Sequence, residues 1–381
     1  MSSRLHSLAA LGQSVWIDFL SRDLLQSGAL ARAIERDAVV GVTSNPTILE
    51  QALARGDAYD AQIRDAADGD VGRLFNELVM HDVADACDLL RPVWDRIGGG
   101  DGYVSIEVDP NLADDTEATI AEASMFHAAI ARPNLLVKIP ATDAGVPAIE
   151  EMTARGHSIN VTLIFSLTRH QQVIEAYLRG LERFVGVDGD PSAVHSVASF
   201  FVSRVDSETD RRLDELGRED LKGQLGVANA RLAYQQYKHA FAGARWEQLA
   251  ARGATKQRCL WASTSTKDPS YRDTLYVEEL VGWETISTMP EATMRAFQDH
   301  GRVEPRLESN VEEALALLAA LAGAGVDYDD VVADLEREGI QKFVGSLSRI
   351  FAGLEAKQRA LAGSSPGPRS LPAADEADGE P

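Results

Sequence analysis

Residues 103–142 read YVSIEVDPNLADDTEATIAEASMFHAAIARPNLLVKIPAT, and this stretch decides the fold. A β-branched and aromatic run, Tyr103–Asp109, is followed by a helix-forming stretch, Asp115–Ala131, and then by a second apolar run, Leu135–Ile139. Strand, helix and strand of these lengths make one βαβ unit of a parallel sheet. The alternation continues in both directions. Strands are expected at Val15–Asp18, Val39–Thr43, Ser158–Leu163, Val194–Phe201, Arg258–Ala262 and Thr285–Thr288, making eight with the first two. Helical stretches separate most of them: Ser21–Arg36, a long pair across Asp60–Asp95, Pro147–Arg155, Leu167–Arg183, Val205–Ala251 and Glu291–His300. Eight parallel strands with intervening helices is the count for a closed (β/α)₈ TIM barrel, whose active site lies at the strands' C-terminal ends. The alternative is a doubly wound open sheet. Against it, no GxGxxG or GxxxxGK[ST] follows a strand, and the glycine run Gly98–Gly100 precedes one and reads as a turn.

The chain has 381 residues, enough at about 150 per domain for two or three small domains or one large architecture with additions. After the eighth strand comes a helical appendix, Pro305 to about Leu361. Asn310 with Glu313 resembles a capping box, and Ala314, Leu315, Leu317, Leu318 and Leu321 supply an apolar face. Gly323 and Gly325 break the pattern, and Val331, Leu335, Ile340, Phe343, Leu347 and Ile350 resume it. The appendix is expected to pack on the barrel as part of a single domain, 1–361, with a lid or an oligomer contact as alternatives. Ala362–Pro381 keeps one large apolar residue, Leu371, and is expected to be a disordered acidic tail.

Charge and cysteine content exclude several classes. With 37 basic and 59 acidic residues the net charge is −22, which argues against bulk nucleic-acid or anionic-membrane binding. A phosphate-bearing partner must then meet a local basic site. Cys87 and Cys259 are the only cysteines, so neither a disulfide scaffold nor a zinc module is available, and both are expected in the core. The N-terminus does not read as a signal peptide and no stretch reads as a membrane span, so a reducing, cytoplasmic setting is expected.

Lys138, flanked by Leu135, Leu136, Val137 and Ile139, is the most informative residue. In a strand its ammonium points into the barrel or the helix layer, where it serves either as a Schiff-base nucleophile or as a structural ion-pair partner. Glu107 and Asp109 share one face of the third strand and Asp18 ends the first, so three carboxyls are expected near the lysine. Burial lowers the lysine's proton affinity and the acids raise it; the sequence leaves the balance open. Asn45, Asn160, Thr162 and Ser199 add uncharged hydrogen-bonding groups near other strand ends, which suits a polyhydroxylated carbonyl substrate. The histidines form no HExxH or HxH, and His157 reads as a loop residue.

Four segments carry a resemblance. GVTSNPTIL (Gly41–Leu49) and LLVKIPATDAGVPAIEEM (Leu135–Met152) resemble the two signatures of the transaldolase family, and VSIEVDPNLADDTEATI (Val104–Ile120) and SINVTLIFS (Ser158–Ser166) are similar to other family segments. The likeness runs from about Val15 to Phe351 and is strongest to long, actinobacterial-type members. It implies a class I aldolase-type barrel, permuted so that the Schiff-base lysine, Lys138, lies on the fourth strand. It implies transfer of a dihydroxyacetone unit between sedoheptulose 7-phosphate plus glyceraldehyde 3-phosphate and erythrose 4-phosphate plus fructose 6-phosphate. Glu107, through a water held with Thr162, would move protons, and Asp18 would take the C4 hydroxyl proton. Asn45, Asn160 and Ser199 match positions that hold substrate hydroxyls. No metal or organic cofactor is implied. Arg204, in SFFVSR, matches the family's phosphate-binding arginine. WASTSTKDP departs from the Ser-x-Arg of shorter relatives: Ser263 matches the serine, Ser265 stands at the arginine position, and Lys267 is expected to supply the second charge. Phe201 occupies the position where aldolases that release free dihydroxyacetone carry tyrosine, which favours transfer. A deoxyribose-phosphate aldolase is disfavoured by the TSNP segment and the fourth-strand lysine, and a catalytically dead barrel by the presence of all four catalytic candidates. Sugar phosphates are the expected partners of a monomer or homodimer.

Overall fold

The computed structural model describes residues 3–54, 56–66 and 70–363. Its strands are β1 (Gln13–Ile17), β2 (Val39–Val42), β3 (Tyr103–Glu107), β4 (Leu135–Pro140), β5 (Ile159–Ile164), β6 (Ser196–Phe201), β7 (Arg258–Ala262) and β8 (Thr285–Met289). Each pairs in parallel with the next in chain order and β8 closes on β1, so the TIM barrel stands and the open sheet does not. Every residue of β4, β5 and β6 is buried. That follows from a parallel sheet with helices outside and packed side chains inside, and it is why these strands read as nearly continuous apolar runs.

Helix α1 (Arg4–Ala10) precedes the barrel. The helices between strands are α2 (Arg22–Gln26), α3 (Ala29–Arg36), α4 (Pro46–Ala54), α5 (Asp60–Asp65), α6 (Val71–Arg96), α7 (Thr116–Ile130), α8 (Gly145–Ala154), α9 (Leu167–Gly186), α10 (Ser203–Leu216), α11 (Leu225–Ala240), α12 (Ala244–Ala250) and α13 (Leu275–Glu279). After β8 come α14 (Glu291–His300), α15 (Val311–Ala324) and α16 (Tyr328–Gly363). Glycines break two stretches expected as continuous. Ser21–Arg36 is α2 and α3, parted at Gly28 (φ 70°), and Val205–Ala251 is α10, α11 and α12, parted at Gly217 (φ 64°) and Gly243 (φ 82°). These positive φ values suit glycine and end a helix. Helices α1, α4 and α13 lie outside the expected helical stretches; α4 is hidden in the TSNP segment, where the Asn45 side chain accepts the Ile48 N–H at 3.1 Å.

The appendix is a helical pair. Asn310 stands at the start of α15 but is left-handed (φ 57°), and its side chain makes no capping bond, so the capping box does not form. The apolar face is narrower than expected: Ala314, Leu317 and Leu321 are buried, whereas Leu315 is 57% exposed. Helix α16 packs on α4, α5, α6 and α10 and reaches the end of β5. Arg212 of α10 holds it through Asp330 and Asp334, each at 2.6 Å. Gly339 allows its close approach, because a Cβ there would lie 3.0 Å from Leu163. The expected acidic tail lies outside the described residues from 364 onward. Cys87 and Cys259 are fully buried, and burial pushes both thiols well up.

One glycine fixes the strand that carries the candidate lysine. A Cβ on Gly145 would lie 1.9 Å from the carbonyl oxygen of Pro140, so α8 starts hard against the end of β4. Gly145→Ala must therefore move one of them, and is expected to lower stability by about 1–3 kcal/mol in urea denaturation.

Candidate active site

The C-terminal ends of the strands open into a cavity of about 140 Å³ between the barrel and α16. Its lining includes Asp18, Thr43, Asn45, Lys138, Thr162, Ser199, Phe201, Arg204, Ser263, Ser265 and Lys267. Register explains the convergence: Glu107 lies opposite Lys138, and Pro140 opposite Thr162. Side chains of one parity along neighbouring parallel strands point to the same side, here the barrel interior.

Lys138 is 4% exposed, and its Nζ donates to Glu107 Oε2 at 3.1 Å and to the Ser44 carbonyl at 2.9 Å. Burial raises the Glu107 carboxyl above its usual range; the Lys138 charge and hydrogen bond oppose this, and the Asp18 charge adds to it. Burial likewise raises Asp18, against the pull of Lys138 and a hydrogen bond from Thr43. The Thr43 hydroxyl donates to Asp18 Oδ1 at 2.7 Å and also meets the Thr288 hydroxyl at 2.7 Å. A hydroxyl carries one proton, so Thr288 is the donor in the second bond. Among the described residues, Glu107 Oε1 and Thr162 Oγ1 are buried without a hydrogen-bond partner. Such atoms are uncommon in native interiors and mark where a small polar molecule can be held.

Asn160 lies beneath the lining. Its amide donates to Ser105 Oγ at 3.0 Å, and its oxygen accepts from Ser199 Oγ at 2.7 Å, so it braces Ser199 from below. Asp109 does not join the lysine. The strand ends at Glu107, a proline-led turn begins at Pro110, and the Asp109 carboxylate caps that turn by accepting the Asn111 N–H at 2.8 Å. Of the three carboxyls expected near the lysine, Glu107 bonds to it, Asp18 shares the cavity and interacts through charge, and Asp109 does neither. His157 sits in the turn before β5, stacked on His127 at 4.4 Å.

The cavity mouth is cationic. The Arg204 guanidinium lies 5.1 Å from the centre of the Phe201 ring and 6.0 Å from that of Phe343. Burial lowers its proton affinity, while Asp18 and Glu107 raise it. Lys267 donates to Ser265 Oγ at 2.6 Å, and burial together with the Arg204 charge pushes its ammonium down. The Ser263 and Ser203 hydroxyls meet at 2.8 Å. Sequence reasoning missed Lys342 and Phe343, which enter from α16. The available signal was Gly339, a glycine within a helical pattern that marks close approach to another element.

A roomier, mostly apolar cavity of about 570 Å³ lies on the other side of Glu107, among α6, α7 and α16. The charged lining of the larger one is mainly acidic, whereas Lys138, Arg204, Lys267 and Lys342 converge on the smaller one. Among the described residues no set of three or more His, Cys, Asp or Glu side chains is placed to hold a metal ion, and no helix is long and apolar enough to cross a membrane.

Glu122 supports the turn after Glu107, accepting the Asp109 backbone N–H at 2.6 Å. Burial pushes its carboxyl up to about 6, and the Asp109 charge acts in the same direction. The folded chain then holds this proton more tightly than the unfolded one, so stability falls as pH rises between the usual value of 4.5 and about 6. Urea denaturation at pH 4 and pH 7 should show wild type losing about 2 kcal/mol relative to Glu122→Gln across that interval.

Residues 15–354 match the family Transaldolase/Fructose-6-phosphate aldolase. The chain is similar to the transaldolase of Frankia alni, 50% identical over 370 residues that cover 96% of this chain and all of that protein. The transaldolase of Acidothermus cellulolyticus is 52% identical over 93% of this chain and 96% of its own length. That of Mycobacterium leprae is 51% identical over 91% and 94%.

Proposed function

The chain belongs to the transaldolase/fructose-6-phosphate aldolase family as an enzyme of the transaldolase kind, and from that premise we propose that it moves a dihydroxyacetone unit between ketose and aldose phosphates through a Schiff base on Lys138. The observation that carries this reading is a buried amine at the floor of a cavity whose mouth is cationic. A carbonyl sugar with a phosphate at its far end fits that polarity.

In the proposed reaction the Lys138 amine adds to the ketose C2 carbonyl after giving a proton to Glu107, 3.1 Å away. The carbinolamine hydroxyl leaves as water, taking a proton that Glu107 returns. The unpartnered oxygens of Glu107 and Thr162 are the groups that would hold the water relaying it. Asp18 takes the C4 hydroxyl proton, the C3–C4 bond breaks, and its electrons enter the iminium to give an enamine. The aldose phosphate leaves. An acceptor aldehyde then adds to the enamine carbon, Asp18 returns its proton, and water hydrolyses the new iminium to free Lys138. Thr43 and Thr288 keep Asp18 aimed into the cavity. Asn45 and Ser199 line the space the three-carbon fragment would fill, and Asn160 orients Ser199.

Arg204 and Lys267 receive the phosphate in this reading, with Ser263 and Ser265 beside them. Lysine acts here as a point charge where a guanidinium would bind as a fork. Phe201 has no proton to give the enamine carbon, so the fragment waits for an acceptor instead of leaving as free dihydroxyacetone. The fructose 6-phosphate and erythrose 4-phosphate pair, sedoheptulose 7-phosphate as product, and a cytoplasmic setting are parts of this proposal.

The test is a transfer assay from fructose 6-phosphate to erythrose 4-phosphate. Lys138→Met should lower kcat by about a thousandfold or more, as removal of a nucleophile does. Lys267→Met should raise KM for the phosphorylated donor about three- to tenfold and leave kcat within about twofold, as loss of a charged contact away from the reacting atoms does. Full activity in Lys138→Met contradicts the proposal.

A further inference from the structure

Three cations, Arg204, Lys267 and Lys342, line the mouth of the cavity. The chain carries 59 acidic residues against 37 basic ones, yet none of the three has a carboxylate within 4.0 Å among the described residues. They face one another instead: the charge of Arg204 pushes down the ammonium groups of both lysines, and that of Lys342 adds to the effect on Lys267. Asp18, Glu107 and Glu338 offset part of the Arg204 charge and Asp18 part of the Lys267 charge from a distance, but like charges crowded in one mouth with no anion paired to them remain costly. They also differ in depth. Arg204 is half-buried between the Phe201 and Phe343 rings, whereas Lys267 and Lys342 are exposed, and Lys342 alone comes from α16, the element that crosses the mouth.

On the transferase reading the reacting carbon is fixed by Lys138 and Asp18 at the floor. The phosphate's height above that floor is then set by the length of the aldose, since it is carried one carbon further out in a four-carbon than in a three-carbon acceptor. We propose that Lys342 is the outermost ligand of the phosphate site and sets the enzyme's preference for longer aldose phosphates. The deeper Arg204 meets the phosphate of the three-carbon acceptor. Lys342, on a flexible four-carbon stem, follows the phosphate of the four-carbon acceptor outward.

The experiment compares wild type, Lys342→Met and Lys342→Arg with erythrose 4-phosphate or unphosphorylated glyceraldehyde as acceptor from fructose 6-phosphate, and with glyceraldehyde 3-phosphate as acceptor from sedoheptulose 7-phosphate. In a two-step transfer the acceptor's kcat/KM is independent of the donor. Lys342→Met should lose about five- to twentyfold in kcat/KM with erythrose 4-phosphate, the range expected of one charge-assisted contact at a partly exposed site, and about threefold or less with glyceraldehyde 3-phosphate. Its loss with unphosphorylated glyceraldehyde should stay within about twofold, and Lys342→Arg should recover most of the loss. Equal losses with all three acceptors, or none with any, would overturn the role of Lys342 while leaving the transferase reading in place. Wild-type protein that transfers to no acceptor would overturn both.

Discussion

The ion pair between Lys138 and Glu107 is the constraint on which the site depends. Both side chains are almost completely buried, at 5% and 3% exposure, in the interior of a parallel barrel. Removing one partner from such a pair costs about 3–5 kcal/mol, because the other charge is left stranded. The pair forms only because β3 and β4 are held in the register that sets Glu107 opposite Lys138. That register in turn rests on closure of all eight strands. The Ser44 carbonyl supplies a second acceptor for the ammonium from the end of β2, so three strand ends meet at one nitrogen. Around it Thr43 and Thr288 hold Asp18 and Asn160 bonds Ser199, while Glu107 Oε1 and Thr162 Oγ1 are left without a partner among the described residues.

Outward from this pair the cavity changes character. Its floor balances an ammonium against two carboxyls, while its mouth holds three cations with no carboxylate paired to them among the described residues. A chain of net charge −22 thus presents a positive field at one place, and an anionic ligand would be drawn there against the repulsion of the remaining surface. Part of that field comes from α16. The C-terminal helices complete the mouth of the site as well as covering the barrel, and Gly339 and the Arg212 ion pairs fix how closely they do so.

Elements defined by a short, local period were legible in the sequence. β4 and β5 were placed within a residue of their ends, and Lys138, Glu107, Asp18 and Thr162 were found at their strand ends, because alternation along a strand is a local property. The misreadings have a common cause in interactions that lie outside the segment being read. Helix α4 is nine residues beginning at a proline, too short for its periodicity to stand out from the loop around Asn45. Asp109 continues the alternation of β3 on paper, but Pro110 ends the ladder and turns its carboxylate into a cap. The three helices within Val205–Ala251 are parted by glycines whose positive φ is invisible to hydropathy. Lys342 reaches the cavity from some 200 residues beyond Lys138 in the chain. No local pattern brings those two together; only the course of α16 over the barrel does.

The most direct measurement is to incubate the protein with fructose 6-phosphate, reduce with borohydride and locate the added mass by peptide mass spectrometry. One dihydroxyacetone unit is expected on the peptide that contains Lys138, which requires both Schiff-base formation and cleavage of the C3–C4 bond. An adduct on a different lysine, or none in protein shown to be folded, would rule out Lys138 as the nucleophile.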